Sequence, residues 1–193
     1  MRSSPVGLGS LPMNPTYRLD AREAIMMNRH RIVHYKKMPV WKASGWSATV
    51  NQAELRQMAN ERIKDAKALI DGKRWKFAYY AAGYAVECAL KSCLLARMIY
   101  TGWIFDDNVK KVDDCRTHDF LKLIQIAGLR DELNTALKTS LAAGDEFVRN
   151  WDTVNLWRVT SRYEPCTEAD AKKLYAAISD DPHGVLKWIQ KYW

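Results

Sequence analysis

Hydrophobic and polar positions sort most clearly between Lys73 and Tyr100, KRWKFAYYAAGYAVECALKSCLLARMIY, which holds no proline and one glycine. On a 3.6-residue period Lys76, Gly83, Glu87 and Lys91 fall in one narrow stripe flanked by Tyr80 and Tyr84. Phe77, Ala78, Ala81, Ala82, Ala85, Val86, Ala89, Leu90, Cys93 and Leu94 cover most of the remaining circumference. A helix apolar over so wide an arc is buried among other helices. The pattern predicts the central helix of a bundle, with only the line through Glu87 and Lys91 left open to solutes. Polar groups so close to a core need partners.

The same reading carries through the rest of the chain. Asn51 and Glu54 have capping-box spacing, and the helix they open places Leu55, Met58, Ala59, Ile63, Ala66 and Ile70 on one face, with Gly72 as its stop. Thr101 to Arg116 reads as a surface loop. Its mixed charges, Asp106, Asp107, Lys110, Lys111, Asp113 and Asp114, lack metal-ligand spacing. Thr117 is the expected cap of a third helix, HDFLKLIQIA, closed by Gly128. A fourth begins near Asp131 with Leu133, Leu137 and Leu141 inward, and Gly144 interrupts it before DEFVRNWDTVNLWRVTSRY. Pro165 ends that run. Thr167 with Asp170 opens a helix with Ala171, Leu174, Tyr175 and Ile178 inward, and Asp181–Pro182 reads as cap and first-turn proline of the last helix. No segment alternates like a strand. The expected fold is all-α, an up-down bundle of five to six helices.

Charge changes the picture at one end. Of the 30 Lys/Arg and 22 Asp/Glu among 193 residues, eight and two lie in residues 1–50, so most of the net +8 belongs there. The expected division is a basic, partly disordered arm over 1–50 and a helical bundle over 51–193. Within the arm, Arg29, Arg31, Lys36 and Lys37 are placed to meet RNA or an anionic surface. The alternative is a solvated tail that docks Trp41 and Trp46 on the bundle. The first residues lack the apolar core of a secretory signal, and no run reaches the ~20 apolar residues of a membrane span. These features point to the cytoplasm, with no membrane partner. Cys88, Cys93, Cys115 and Cys166 show no metal spacing and read as small core residues in a reducing compartment. No metal or other cofactor is expected.

The order of motifs resembles a known family. A capped helix and short Gly-Lys/Arg turn lead to an Ala/Tyr-rich helix with Glu-x-x-x-Lys (AYYAAGYAVECALKSCL). A His-Asp-Phe-Leu-x-x-Leu start (HDFLKLI) follows, then Arg-Tyr near a proline (RYEP) and a final Ala/Leu-rich region. Over about residues 51–193 this resembles the HEPN superfamily, the higher-eukaryote and prokaryote nucleotide-binding domains. The resemblance implies a helical bundle that often dimerises. It also implies a role as an RNA endonuclease in toxin–antitoxin or defence systems, or as the non-catalytic partner of a small nucleotidyltransferase. Nuclease members carry Arg, four to six residues, then His. None of the corresponding positions after Arg149, Arg158 or Arg162 is His here. Arg29 and His34 have the spacing but lie in the arm, outside the resemblance.

The expected function is therefore a non-catalytic or atypical HEPN-like module that binds a nucleotide, RNA or a protein partner, as a homodimer. The alternatives are a metal-independent RNA endonuclease with Arg158 and Tyr163 as its candidate catalytic residues, or a plain helical interaction subunit. Glu87 and Lys91 form an i,i+4 pair in the favoured order. They read either as an ordinary helix pair or as the border of a pocket with Tyr84 and Arg162. Arg158, Arg162 and Tyr163 either bind a phosphate or RNA backbone, or pin their loop to the central helix through Glu87. His118 and Asp119 read as a cap and surface pair. Trp151 and Trp157 read as packing or dimer residues ahead of base-stacking platforms.

Overall fold

A computed structural model describes residues 50–101 and 112–193. The arm residues Arg29, Arg31, Lys36 and Lys37, with Trp41 and Trp46, lie outside the described residues, as do Asp106, Asp107, Lys110 and Lys111. The described elements are α1 (Gln52–Asp71), α2 (Trp75–Thr101), a 3-10 turn (Val112–Arg116), α3 (Phe120–Ile126), α4 (Arg130–Ala143), α5 (Phe147–Asn155), a second 3-10 turn (Val159–Tyr163), α6 (Glu168–Ser179) and α7 (Val185–Ile189). The fold is all-α and bundled, and two of the seven α-helices among the described residues are no longer than seven residues.

α1 starts where its cap predicts. Asn51 Oδ1 accepts the Glu54 N–H at 2.9 Å, and Glu54 Oε2 accepts the Asn51 N–H at 2.8 Å. These two bonds satisfy donors that a helix start leaves orphaned. At the other end Gly72 returns its N–H to Ala68 O and Lys73 takes φ 57°, so the chain reverses into α2 within three residues. α1 then lies along α2. Leu55, Ala59, Ala66 and Ile70 are buried; Met58 and Ile63 are partly covered.

α2 also meets α3, α6, α7 and the second 3-10 turn, which makes it the central helix. Ala82, Ala85, Val86, Ala89 and Leu90 have no exposed surface. Leu123, Ile124, Leu174, Ile178, Val185 and Ile189 complete the core around them. Small residues on α2 let its neighbours approach closely. Gly83 is the extreme case: a Cβ there would lie 2.3 Å from the Trp157 indole. Trp157 fills the space above Gly83 and stacks on Phe120, with centroids 5.2 Å apart.

Several boundaries differ from expectation. Asp119, not Thr117, caps α3: Asp119 Oδ1 accepts the Lys122 N–H at 2.9 Å, while Thr117 Oγ1 accepts the Asp119 N–H. α4 starts at Arg130, and Leu141 is 76% exposed. Each four-residue step rotates 40° beyond a full turn, so the row Leu133, Leu137, Leu141 drifts off the buried face, which continues through Ser140. Gly144 ends α4 at φ 71°, as its position suggests. The run after it splits: α5 stops at Asn155 so that Trp157 can turn into the core. α7 begins at Val185 rather than Asp181, because Asp180 Oδ2 accepts the His183 N–H and Asp181–His183 forms a turn. Part of the expected 101–116 loop is ordered as the 3-10 turn Val112–Arg116. Phe77 is 49% exposed instead of enclosed, with the Arg74 guanidinium 5.4 Å from its ring centroid.

Candidate functional site

The polar stripe of α2 is not an open line. Glu87 is only 1% exposed, and two groups converge on its carboxylate. Lys91 Nζ donates to Oε1 at 2.8 Å, one turn along the helix. His118 Nδ1 stands 2.9 Å from both oxygens, carried in by the segment between the first 3-10 turn and α3. A carboxylate can only accept, so the shared proton belongs on Nδ1 and His118 donates. The second ring nitrogen then points away from Glu87. Its side chain is 47% exposed, and that nitrogen has no partner among the described residues. Lys91 is 24% exposed on the same carboxylate. A buried acid thus fixes two nitrogen groups at the surface.

The approach of His118 follows from local structure. Asp119 caps α3, Thr117 receives the Asp119 N–H, and the Phe120 ring is anchored on Trp157. His118 sits in this extended turn immediately before the helix. The expectation of a cap and surface pair for His118 and Asp119 is half right: Asp119 caps, while His118 reaches a residue 31 positions earlier.

Other predicted site residues fall elsewhere. Tyr84 stacks on Tyr80 with centroids 6.0 Å apart and lines a groove between α1 and α2. Burial raises its phenol above the ordinary value. That groove encloses about 600 Å³ and is bordered by Met58, Leu69, Phe77 and the Arg62–Asp65 pair. Arg162 does not pin its loop to Glu87; its guanidinium lies 4.8 Å from the Tyr163 ring centroid. Tyr163 is 73% exposed. Arg158 donates to the carbonyls of Asn155 and Trp157 at 2.6 and 2.7 Å, closing the end of α5. Of the candidate catalytic residues, Arg158 thus caps the end of α5, and Tyr163 stands at the surface against Arg162. Trp151 and Trp157 are packing residues, at 4% and 1% exposure. His183 has a neighbour that its sequence position does not reveal: Nε2 lies 3.7 Å from Asp145 Oδ2.

Among the described residues no group of three or more His, Cys, Asp or Glu is arranged to hold a metal ion. Cys88 and Cys93 are buried, and burial pushes their thiols up to about 11 and about 12. They act as small core residues. No helix among the described residues is long and apolar enough to cross a membrane.

The family model for the HEPN domain matches residues 52–105. No curated protein matches the chain, and no solved structure does. The matched stretch spans α1 and α2, the pair that builds the bundle and carries both Glu87 and Lys91. Residues 52–105 are thus similar to the HEPN domain, and the all-α bundle built on them is consistent with that family's helical fold.

Proposed function

We propose that this protein is an atypical HEPN module that binds a nucleotide or RNA through phosphate at the outer edge of the Glu87 site, and that it works as a homodimer. The observation that carries the reading is the buried carboxylate holding Lys91 and His118 side by side. Donors fixed in advance lose less freedom on meeting an anion than mobile surface cations do. Lys91 contributes an ammonium, and His118 contributes its outward nitrogen when protonated. The α1–α2 groove, with Phe77 on its rim, is the proposed face for the second copy. A toxin–antitoxin or defence setting, with a small nucleotidyltransferase as partner, is the context that the family resemblance suggests.

Fluorescence anisotropy with a labelled oligoribonucleotide, competed by ATP, tests the binding. Lys91→Gln should weaken it by roughly tenfold, as expected for one lost charged hydrogen bond at the low end of about 1.5–3 kcal/mol. Equal binding by wild type and variant would remove the site.

A second reading is favoured by one observation: His118 supplies an imidazole oriented by a carboxylate, which the Arg-x4-6-His spacing lacks. In a metal-independent endonuclease, Nε2 would take the 2′-OH proton as O2′ bonds to phosphorus. The P–O5′ bond would break, and water would protonate the departing O5′, leaving a cyclic phosphate. Incubation with RNA in EDTA decides it. Cleavage lost in His118→Gln supports this reading; intact RNA at high protein concentration removes it.

A further inference from the structure

A second cavity lies away from Glu87, where the end of α5, the second 3-10 turn and the start of α6 meet α2. It encloses about 220 Å³, roughly seven times the ~30 Å³ that one water occupies in the liquid. That is room for a small metabolite. Its charged walls are Arg158, Lys173, Glu164 and Asp170, two of each sign. Tyr79 and Leu156 supply apolar surface beside them.

The walls differ in how far their hydrogen bonds are used. Asp170 Oδ2 accepts the Thr167 hydroxyl at 2.6 Å and the Thr167 N–H at 3.2 Å. Glu164 Oε1 accepts the Thr160 hydroxyl at 2.8 Å. Each carboxylate keeps a second oxygen without a hydrogen-bond partner among the described residues. Arg158 uses one terminal nitrogen on backbone carbonyls, leaving the rest of its fork. The Lys173 ammonium and Tyr79 hydroxyl have no hydrogen-bond partner among the described residues. The start of α6 is closed by its own capping box and contributes no free anion site. Cys166 donates to Thr167 O at 3.4 Å, and burial raises its thiol, so it adds no charge.

We propose that this cavity binds a small zwitterion of the α-amino acid class. Its carboxylate would meet Lys173, Arg158 and Tyr79, and its ammonium the open oxygens of Glu164 and Asp170. Balance decides between classes. A phosphate would face two carboxylates at close range, and an amine alone would face two cations. A zwitterion leaves neither charge opposed.

The test is calorimetry on the full chain with L-threonine and L-leucine, beside acetate, methylamine and inorganic phosphate as single-charge probes. The expected result is an amino-acid dissociation constant on the order of 1 mM or tighter. Acetate and methylamine should each bind at least roughly tenfold more weakly, because each leaves half the charges unmet. Lys173→Gln, at an exposed position without an ion pair, should weaken amino-acid binding without changing the melting temperature. Tyr79→Phe should do so independently. Acetate or phosphate binding as tightly as the amino acids would overturn the zwitterion assignment. So would amino-acid binding unchanged in both variants, or no binding by any probe. RNA binding lost in Lys91→Gln is read separately, so the two sites fail independently.

Discussion

At the scale of single residues, Glu87 and Gly83 carry the most consequence. Glu87 is a buried carboxylate whose two partners are both partly exposed. Replacing His118 by Ala removes a bond and leaves the acid with Lys91 alone. The expected cost is about 1–3 kcal/mol, read from urea unfolding. Glu87→Gln should release His118 and increase its exchange with solvent, even if the fold survives. Gly83→Ala places a methyl inside the Trp157 ring and should cost about 1–3 kcal/mol or more. A change in Trp157 fluorescence should accompany that loss. Two acids predict the pH response. Asp145 is held below its ordinary 3.8 by a hydrogen bond from Ser140 and by the Phe147 N–H. Asp170 is held below 3.8 by the Thr167 hydroxyl and N–H. A lowered folded value means that their support is complete above about pH 4 and drains as pH falls through the lowered value. Stability should therefore fall below pH 4, and less steeply in Asp145→Asn than in the wild type.

At the scale of elements, the caps show what a local reading can reach. Asn51–Glu54 and Thr167–Asp170 act as their spacing predicts, because a capping box needs only four consecutive residues. Gly72 and Gly144 mark their helix ends for the same reason. Errors arise where a distant group decides. α5 stops early because Trp157 is drawn to Gly83, which lies on another helix. The last helix is a local exception: it starts late because Asp180, three residues before His183, closes a turn ahead of it. The approach of His118 to Glu87 was illegible for this reason: no short-range rule pairs residues 31 apart. The stripe through Glu87 and Lys91 was visible in the sequence, but its closure by His118 was not. Arg158, Arg162 and Tyr163 looked like one cluster because they are near in sequence. The 3-10 turn keeps Arg162 against Tyr163, while Arg158 turns back to the carbonyls of Asn155 and Trp157. The α1–α2 junction offers its own test. Lys73 holds φ 57°, where a Cβ is unfavourable, so Lys73→Gly should raise stability by up to about 1 kcal/mol.

At the scale of the whole molecule, the helical bundle around α2 explains why the family is recognisable while the activity is not. A helix with alanine on most of its faces can be enclosed by many sequences, and the family match covers that helix and the one before it. The proposed phosphate site joins Lys91, inside the matched residues, to His118, outside them. The exposed Phe77 beside the α1–α2 groove belongs to this scale too. Phe77→Asp should shift the protein from dimer to monomer in sedimentation velocity, leaving the helical circular-dichroism signal intact. A wild-type monomer at all concentrations would refute the proposed dimer.

The imidazole spectrum of His118 is the most direct probe of the account. With four histidines in the sequence, His118→Gln assigns its signals unambiguously. Titrating the full chain with AMP should move the His118 ring resonances in a saturable way, and Lys91→Gln should shift that movement to roughly tenfold higher AMP. His118 signals that stay fixed while AMP binds elsewhere would contradict the claim that Glu87 holds Lys91 and His118 for a phosphate.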